Sequence, residues 1–204
     1  MQIGRLAKVA GYALVAALMI AGSGTRGAAQ SHDDHGGARS ERHKPTPQEN
    51  ALVQTVRAAT GKFKDVTNVA GPGPDYALTF GCVSGGDFGA MGLHYLKGSI
   101  LHDGEIDKND PEIILFEPTR HSGIRITGAD YIVFVSEWEQ KHKGEGPPSI
   151  DGQLFHLFDA PNRFGLDPFY TLHVWAWKDN PNGTFTNWNP DVSCDGFNGT
   201  TPQN

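Results

Sequence analysis

Over residues 169–178 polar and apolar side chains alternate, which sorts them onto the two faces of a strand. Tyr170, Leu172, Val174 and Ala176 fall on one face, and Thr171, His173, Trp175 and Trp177 on the other. Short apolar or alternating runs at 76–83, 92–96, 113–117, 131–136 and 153–158, separated by Gly, Pro, Asn and Asp, read as further strands. The period is different nearer the N-terminus. Leu52, Val56, Ala59 and Phe63 recur at helical spacing behind Thr46, Pro47, Gln48 and Glu49, a capping box with proline at the first helical position. This helix is expected to end within 60–66, before the turn Gly71, Pro72, Gly73, Pro74. One amphipathic helix followed by many strands predicts an α+β fold, the helix packed on a curved, mostly antiparallel sheet. Residues 103–111, 140–148 and 179–183 are read as connections.

The first 29 residues have a separate logic. Arg5 and Lys8 precede an apolar run at 9–20, and Gly27, Ala28 and Ala29 supply small residues for cleavage. This is the pattern of a secretory signal, and the run is shorter than the roughly 20 apolar residues that span a bilayer. Residues 30–45 follow as a charged, disordered tail holding His32, His35 and His43, a tract able to hold divalent metal loosely. A single globular domain is expected over 46–194, with a frayed end at 195–204. Periplasmic or secreted localisation is the corresponding expectation.

Cysteine usage agrees with export, because Cys82 and Cys194 are the only two and lie far apart, as a structural disulfide would place them. Residues 1–29 carry Arg5, Lys8 and Arg26 and no acid. Of 17 basic and 23 acidic side chains, 14 bases and all the acids therefore remain in the mature chain, a net charge of about −9. Such a surface makes nucleic acid a poor partner and argues against membrane insertion after signal cleavage; oligomeric state is left open.

Phosphate-loop, HExxH and GxSxG patterns are absent, and no serine is placed visibly with a histidine and an acid, so no catalytic residue is assigned. The chemistry lies in polar groups set inside strands. His94, His156 and His173 are flanked by apolar side chains, Glu117 closes the run IILFE, and Asp130 precedes YIVFV. Buried groups of this kind are costly unless paired, hydrogen-bonded or metal-bound. One reading is a divalent metal site for zinc, iron or copper drawn from His94, Glu117, Asp130, His156 and His173. A second is a small-molecule pocket lined by Tyr95, Tyr170, Trp175 and Trp177 beside the histidines. A metal-dependent enzyme, oxidative or hydrolytic, is the alternative, and a structural or interaction role in the cell envelope a third.

The blocks GAMGLHYL, PEIILFEP, GQLFHLFDAPNRFGL and FYTLHVWAWKDNPNGTFTNWNPDVSC, spread from about Lys62 to Cys194, resemble a family of uncharacterised exported bacterial proteins with the same order of blocks. The resemblance implies bacterial export and a common fold and carries no activity or substrate. This chain has Asp130 where the family usually has Glu before the tyrosine corresponding to Tyr131, a shorter carboxylate at the same place.

Overall fold

Helix α1 (Pro47–Thr60) begins where its cap is complete: Thr46 Oγ1 accepts the Glu49 N–H at 3.2 Å, and the Glu49 carboxylate accepts the Thr46 N–H at 2.5 Å. Leu52 and Val56, one turn apart, are fully buried. After a 3-10 turn (Gly61–Lys64) and a short helix α2 (Thr67–Ala70) come the strands. They are β1 (Tyr76–Ser84), β2 (Ala90–Lys97), β3 (Ile113–Pro118), β4 (Ile124–Phe134), β5 (Ser149–Ile150), β6 (Gln153–Leu154), β7 (His156–Phe158) and β8 (Phe169–Val174), with helix α3 (Val135–Lys141) after β4. The computed structural model describes residues 44–70, 73, 75–120 and 123–199. The expected signal and the tail histidines His32, His35 and His43 lie outside these residues. None of the described helices is long and apolar enough to cross a membrane.

Six strands form one sheet in the order β1-β2-β3-β4-β8-β7, every neighbouring pair antiparallel, while β5 and β6 pair separately. The fold is therefore α+β. Alternation along β4 and β8 divides the buried side chains between two faces. Ala129, Tyr131, Val133, Tyr170, Leu172 and Val174 pack with Leu52 and Val56 of α1. Leu93, Ile114 and Phe116 continue that face under Phe63 and Val69. On the other side Ile113, Leu115, Ile132, Phe134 and Phe169 form a second core, covered by side chains of the loops after β2 and β7.

Four boundaries differ from the sequence pattern, one of them the end of β8, at Val174 and not at residue 178. β4 starts at Ile124, well before residue 131, because pairing with β3 carries Arg125, Thr127, Gly128 and Asp130 into the sheet despite their polarity. The same run turns helical at Val135, so Ser136 belongs to α3. The 153–158 run is divided between two sheets, Gln153 and Leu154 pairing with β5 and His156–Phe158 with β8.

Cys82 and Cys194 are disulfide-bonded across a sequence separation of 112 residues, tying the chain beyond β8 to β1. Phe197, just past the bridge, packs on the same cluster as Phe63 and Phe116. Closing so long a loop restricts the unfolded chain, so replacing both cysteines by serine is expected to cost about 2–5 kcal/mol, read as a lowered denaturant midpoint.

Glu112 is only 2% exposed, and its carboxylate accepts the Ile132 N–H at 3.2 Å, where β4 runs past the end of β3 and its amide lacks a strand partner on that side. Burial pushes this carboxyl up to about 8, opposed by its backbone hydrogen bonds. The folded state thus holds a proton that the unfolded chain releases near the ordinary value of 4.5. The associated stability is complete below that value and is lost as pH rises towards 8. Comparing urea unfolding of the native protein and Glu112→Gln from pH 5 to 8 should show the native protein losing ground by on the order of a few kcal/mol.

Candidate metal centre

The face opposite α1 carries three polar side chains that meet. His94 stands on β2, Asp130 on β4 and His173 on β8, with Asp130 and His173 directly opposite each other in the antiparallel register. β2 and β8 are three strand spacings apart, about 14 Å on a flat sheet. The two imidazole rings nevertheless lie 5.9 Å apart, centre to centre, so both lean over β3 and β4. One ligand atom from each of His94, Asp130 and His173 lies within 4.8 Å of the other two, and the three residues are 3, 4 and 2% exposed.

Each group has a distinct electrostatic state. His94 Nδ1 is 3.1 Å from the carbonyl oxygen of Gly92. A carbonyl only accepts, so Nδ1 carries the proton and Nε2 keeps its lone pair for another partner. Burial lowers the His94 imidazole to about 4, opposed by the bond to Gly92. His173 is held well below the ordinary histidine value, first by burial and then by His94 and His156 nearby. Its Nδ1 lies 3.3 Å from Asp130 Oδ1 but makes no hydrogen bond with it, and neither Nδ1 nor Nε2 finds a hydrogen-bond partner among the described residues. Asp130 Oδ1 accepts the Thr171 hydroxyl at 2.5 Å. Burial raises the Asp130 carboxyl to about 7, opposed by hydrogen bonds from Thr171 and the Leu172 N–H.

Two neutral imidazoles and one carboxylate form a donor set suited to zinc, iron, copper and related divalent ions, and the buried group could hold such an ion. Ligands on one tetrahedral ion are about 3.4 Å apart, so binding would draw these atoms together through modest side-chain rotations. Around the group, Ile113, Ile132 and Phe169 form an apolar floor and Phe80, Phe158 and Phe164 an aromatic rim. The space between them is about 20 Å³, and among the described residues no lysine or arginine lines it.

The other sequence candidates lie elsewhere. Glu117 is buried, but Arg125 donates to its Oε1 through Nε and Nη2, and Lys178 Nζ donates to Oε2 at 2.6 Å, so its charge is already balanced. His156 is exposed on edge strand β7, its Nδ1 3.1 Å from Asn187 Oδ1. Tyr95 packs on Phe116, and Tyr170 lies in the core beneath α1. Trp175 is buried with Ala90 and Val192 and donates Nε1–H to the Thr186 carbonyl, its ring 6.2 Å from His173. Trp177 donates Nε1–H to Thr60 Oγ1 at the end of α1, with Lys64 over its ring. β8 stops at Val174 and the Ala176 N–H turns back to the Val174 carbonyl, which breaks the alternation before Trp177. Neither indole lines the cavity.

Thr171, Gly92 and the phenylalanine rim were not assigned roles from the sequence. Thr171 shares the His173 face in the alternation, which was its one available signal. Gly92 has φ +92°, and a Cβ there would sit 2.3 Å from the Phe116 carbonyl oxygen. Gly92→Ala therefore strains the β2 backbone two residues before His94; a loss above about 1 kcal/mol in urea unfolding is expected, with changed His94 ring resonances in NMR spectra.

No family model matches this chain, nor does any curated protein or solved structure.

Proposed function

We propose that this chain is an exported bacterial protein that binds a divalent transition-metal ion, such as zinc, iron or copper, through His94, Asp130 and His173. The observation that carries this reading is His173: a deeply buried imidazole whose two ring nitrogens find no hydrogen-bond partner among the described residues, beside a carboxylate that meets no lysine or arginine among them. Each unsatisfied buried polar atom costs about 1–3 kcal/mol, and a metal bond would use the lone pair that protein partners leave free. The disulfide suits an oxidising compartment, and the resemblance to exported bacterial proteins points the same way.

A metal-dependent enzyme is the second reading. A two-histidine, one-carboxylate set leaves coordination positions for exogenous ligands, and here those positions would face a cavity. The aromatic rim also supports a small apolar ligand in the same space.

Metal content by plasma mass spectrometry tests the first reading on the exported, processed protein purified without an affinity tag, beside His94→Ala/His173→Ala. The tail histidines are present in both proteins, so the difference isolates the buried group. About one ion per chain is expected in the native protein and less than about a tenth of that in the variant. Free metal at about 100 times its Kd should also stabilise the native protein by about 2.7 kcal/mol and leave the variant unchanged. Equal content in the two, or none in either after reconstitution, overturns the reading.

A further inference from the structure

The cavity over His94, Asp130 and His173 is lined on its aromatic side by Phe80, Phe158, Phe164 and Phe169, and of these Phe164 alone stands on a loop. Phe164 projects from the loop joining β7 to β8, and its ring lies 5.3 Å from Phe80 and 6.1 Å from both Phe158 and Phe169. Aromatic pairs at these separations attract, so the ring is seated among three neighbours contributed by β1, β7 and β8.

The loop is built to keep it there. The Asn162 side chain accepts the backbone N–H groups of Phe164 at 3.1 Å and Leu166 at 3.3 Å. Its amide donates to the carbonyls of Asp159 at 3.2 Å and Leu166 at 2.8 Å. On the other side Arg163 Nη2 donates to the Ser84 carbonyl at 2.9 Å, tying the loop to the end of β1, and its guanidinium lies over the Trp188 ring. Phe164 is therefore held from both flanks, although it is only half-buried.

The space beside these rings is about 20 Å³, whereas pockets for drug-sized ligands run to several hundred. Its polar groups are the metal-ligating set and Thr171, whose hydroxyl donates to Asp130. The lining offers no cation to hold a carboxylate or phosphate on a larger ligand. On the reading that the site holds a metal, we propose that the exogenous ligand is slim, of diatomic or triatomic size, and that Phe164 sets this limit. A bulkier partner reaches the metal only when the Phe164 ring is shortened, and what it gains there is apolar contact.

Cobalt(II) tests the proposal, since its visible absorption bands change with coordination number and ligand. The full processed protein, Phe164→Ala and Phe164→Leu are loaded with cobalt(II), checked for matching circular dichroism, and titrated with azide and with 4-phenylimidazole. Azide is slim and 4-phenylimidazole bulky, aromatic and otherwise apolar. Azide should alter the bands of all three proteins. 4-Phenylimidazole should alter those of Phe164→Ala at a concentration at least about tenfold lower than for the native protein, with Phe164→Leu between them. The leucine variant keeps an apolar side chain on the loop and serves if the alanine variant does not fold. Equal 4-phenylimidazole binding by all variants that fold, or azide that perturbs none of them, overturns the size limit while leaving the metal site standing. Native protein that takes up no cobalt(II) overturns the metal reading beneath it, and the proposal with it.

Discussion

β4 runs through the sheet with β3 on one side and β8 on the other, and from Thr127 to Phe134 it is buried on both faces. That double burial is the constraint on which the structure turns. Because successive side chains point to opposite faces, the strand that supplies Ala129, Tyr131 and Val133 to the helix-covered core must send Asp130 and Ile132 the other way. The register with β8 then sets His173 opposite Asp130 and Thr171 opposite Ile132. A slip of one residue would exchange the faces, turning the helix-side residues of β4 into the second core and placing Asp130 beneath α1. The core and the candidate site are thus positioned by the same pairing.

The three carboxylates buried in or beside the strands, Glu112, Glu117 and Asp130, are accommodated in three ways. Glu117 is met by Arg125 and Lys178, and its burial is balanced by two positive charges. Glu112 has no such partner and takes a backbone N–H, with burial raising its carboxyl towards the neutral form. Asp130 has a hydroxyl and a backbone N–H, and the groups beside it are imidazoles that burial keeps uncharged. Burial therefore opposes charge on every member of the trio. A divalent cation would change this balance by making the carboxylate favourable and engaging both imidazole lone pairs.

The capping box at Thr46, the amphipathic stripe through Leu52 and Val56, and the Cys82–Cys194 pair could be read directly, because each depends on local spacing or on elimination. His94, Asp130 and His173 could be nominated from polarity within strands, but their meeting depends on register across four strands, which no local pattern contains. Glu117 looked equivalent to Asp130 in sequence. The cations that satisfy it arrive from 8 and 61 residues away, so only the fold separates the two. His156 sits between apolar neighbours, yet β7 is an edge strand and leaves it in solvent. Trp177 was placed with His173 by extending an alternation that ends at Val174. Phe164 gave no signal because it belongs to a loop whose shape comes from the hydrogen bonds of one asparagine.

A purely structural account of the trio faces an energetic difficulty. In other folds, replacing buried ionic groups with apolar side chains of similar volume is often neutral or stabilising, so a carboxylate and two imidazoles are a poor way to fill a core. The surrounding face shows that apolar filling suits this place: Ile113, Leu115, Ile132 and Phe169 pack there without polar partners. Buried histidines kept only for packing would be expected to find hydrogen bonds within the protein, as His94 does with Gly92. His173 finds none among the described residues, and one of its ring nitrogens lies within 4.8 Å of ligand atoms of the two other groups on that face that could share an ion with it. Burial, missing partners and convergence coincide at one point, and they are what a group able to hold a metal ion would show, whereas core packing by itself accounts only for the burial.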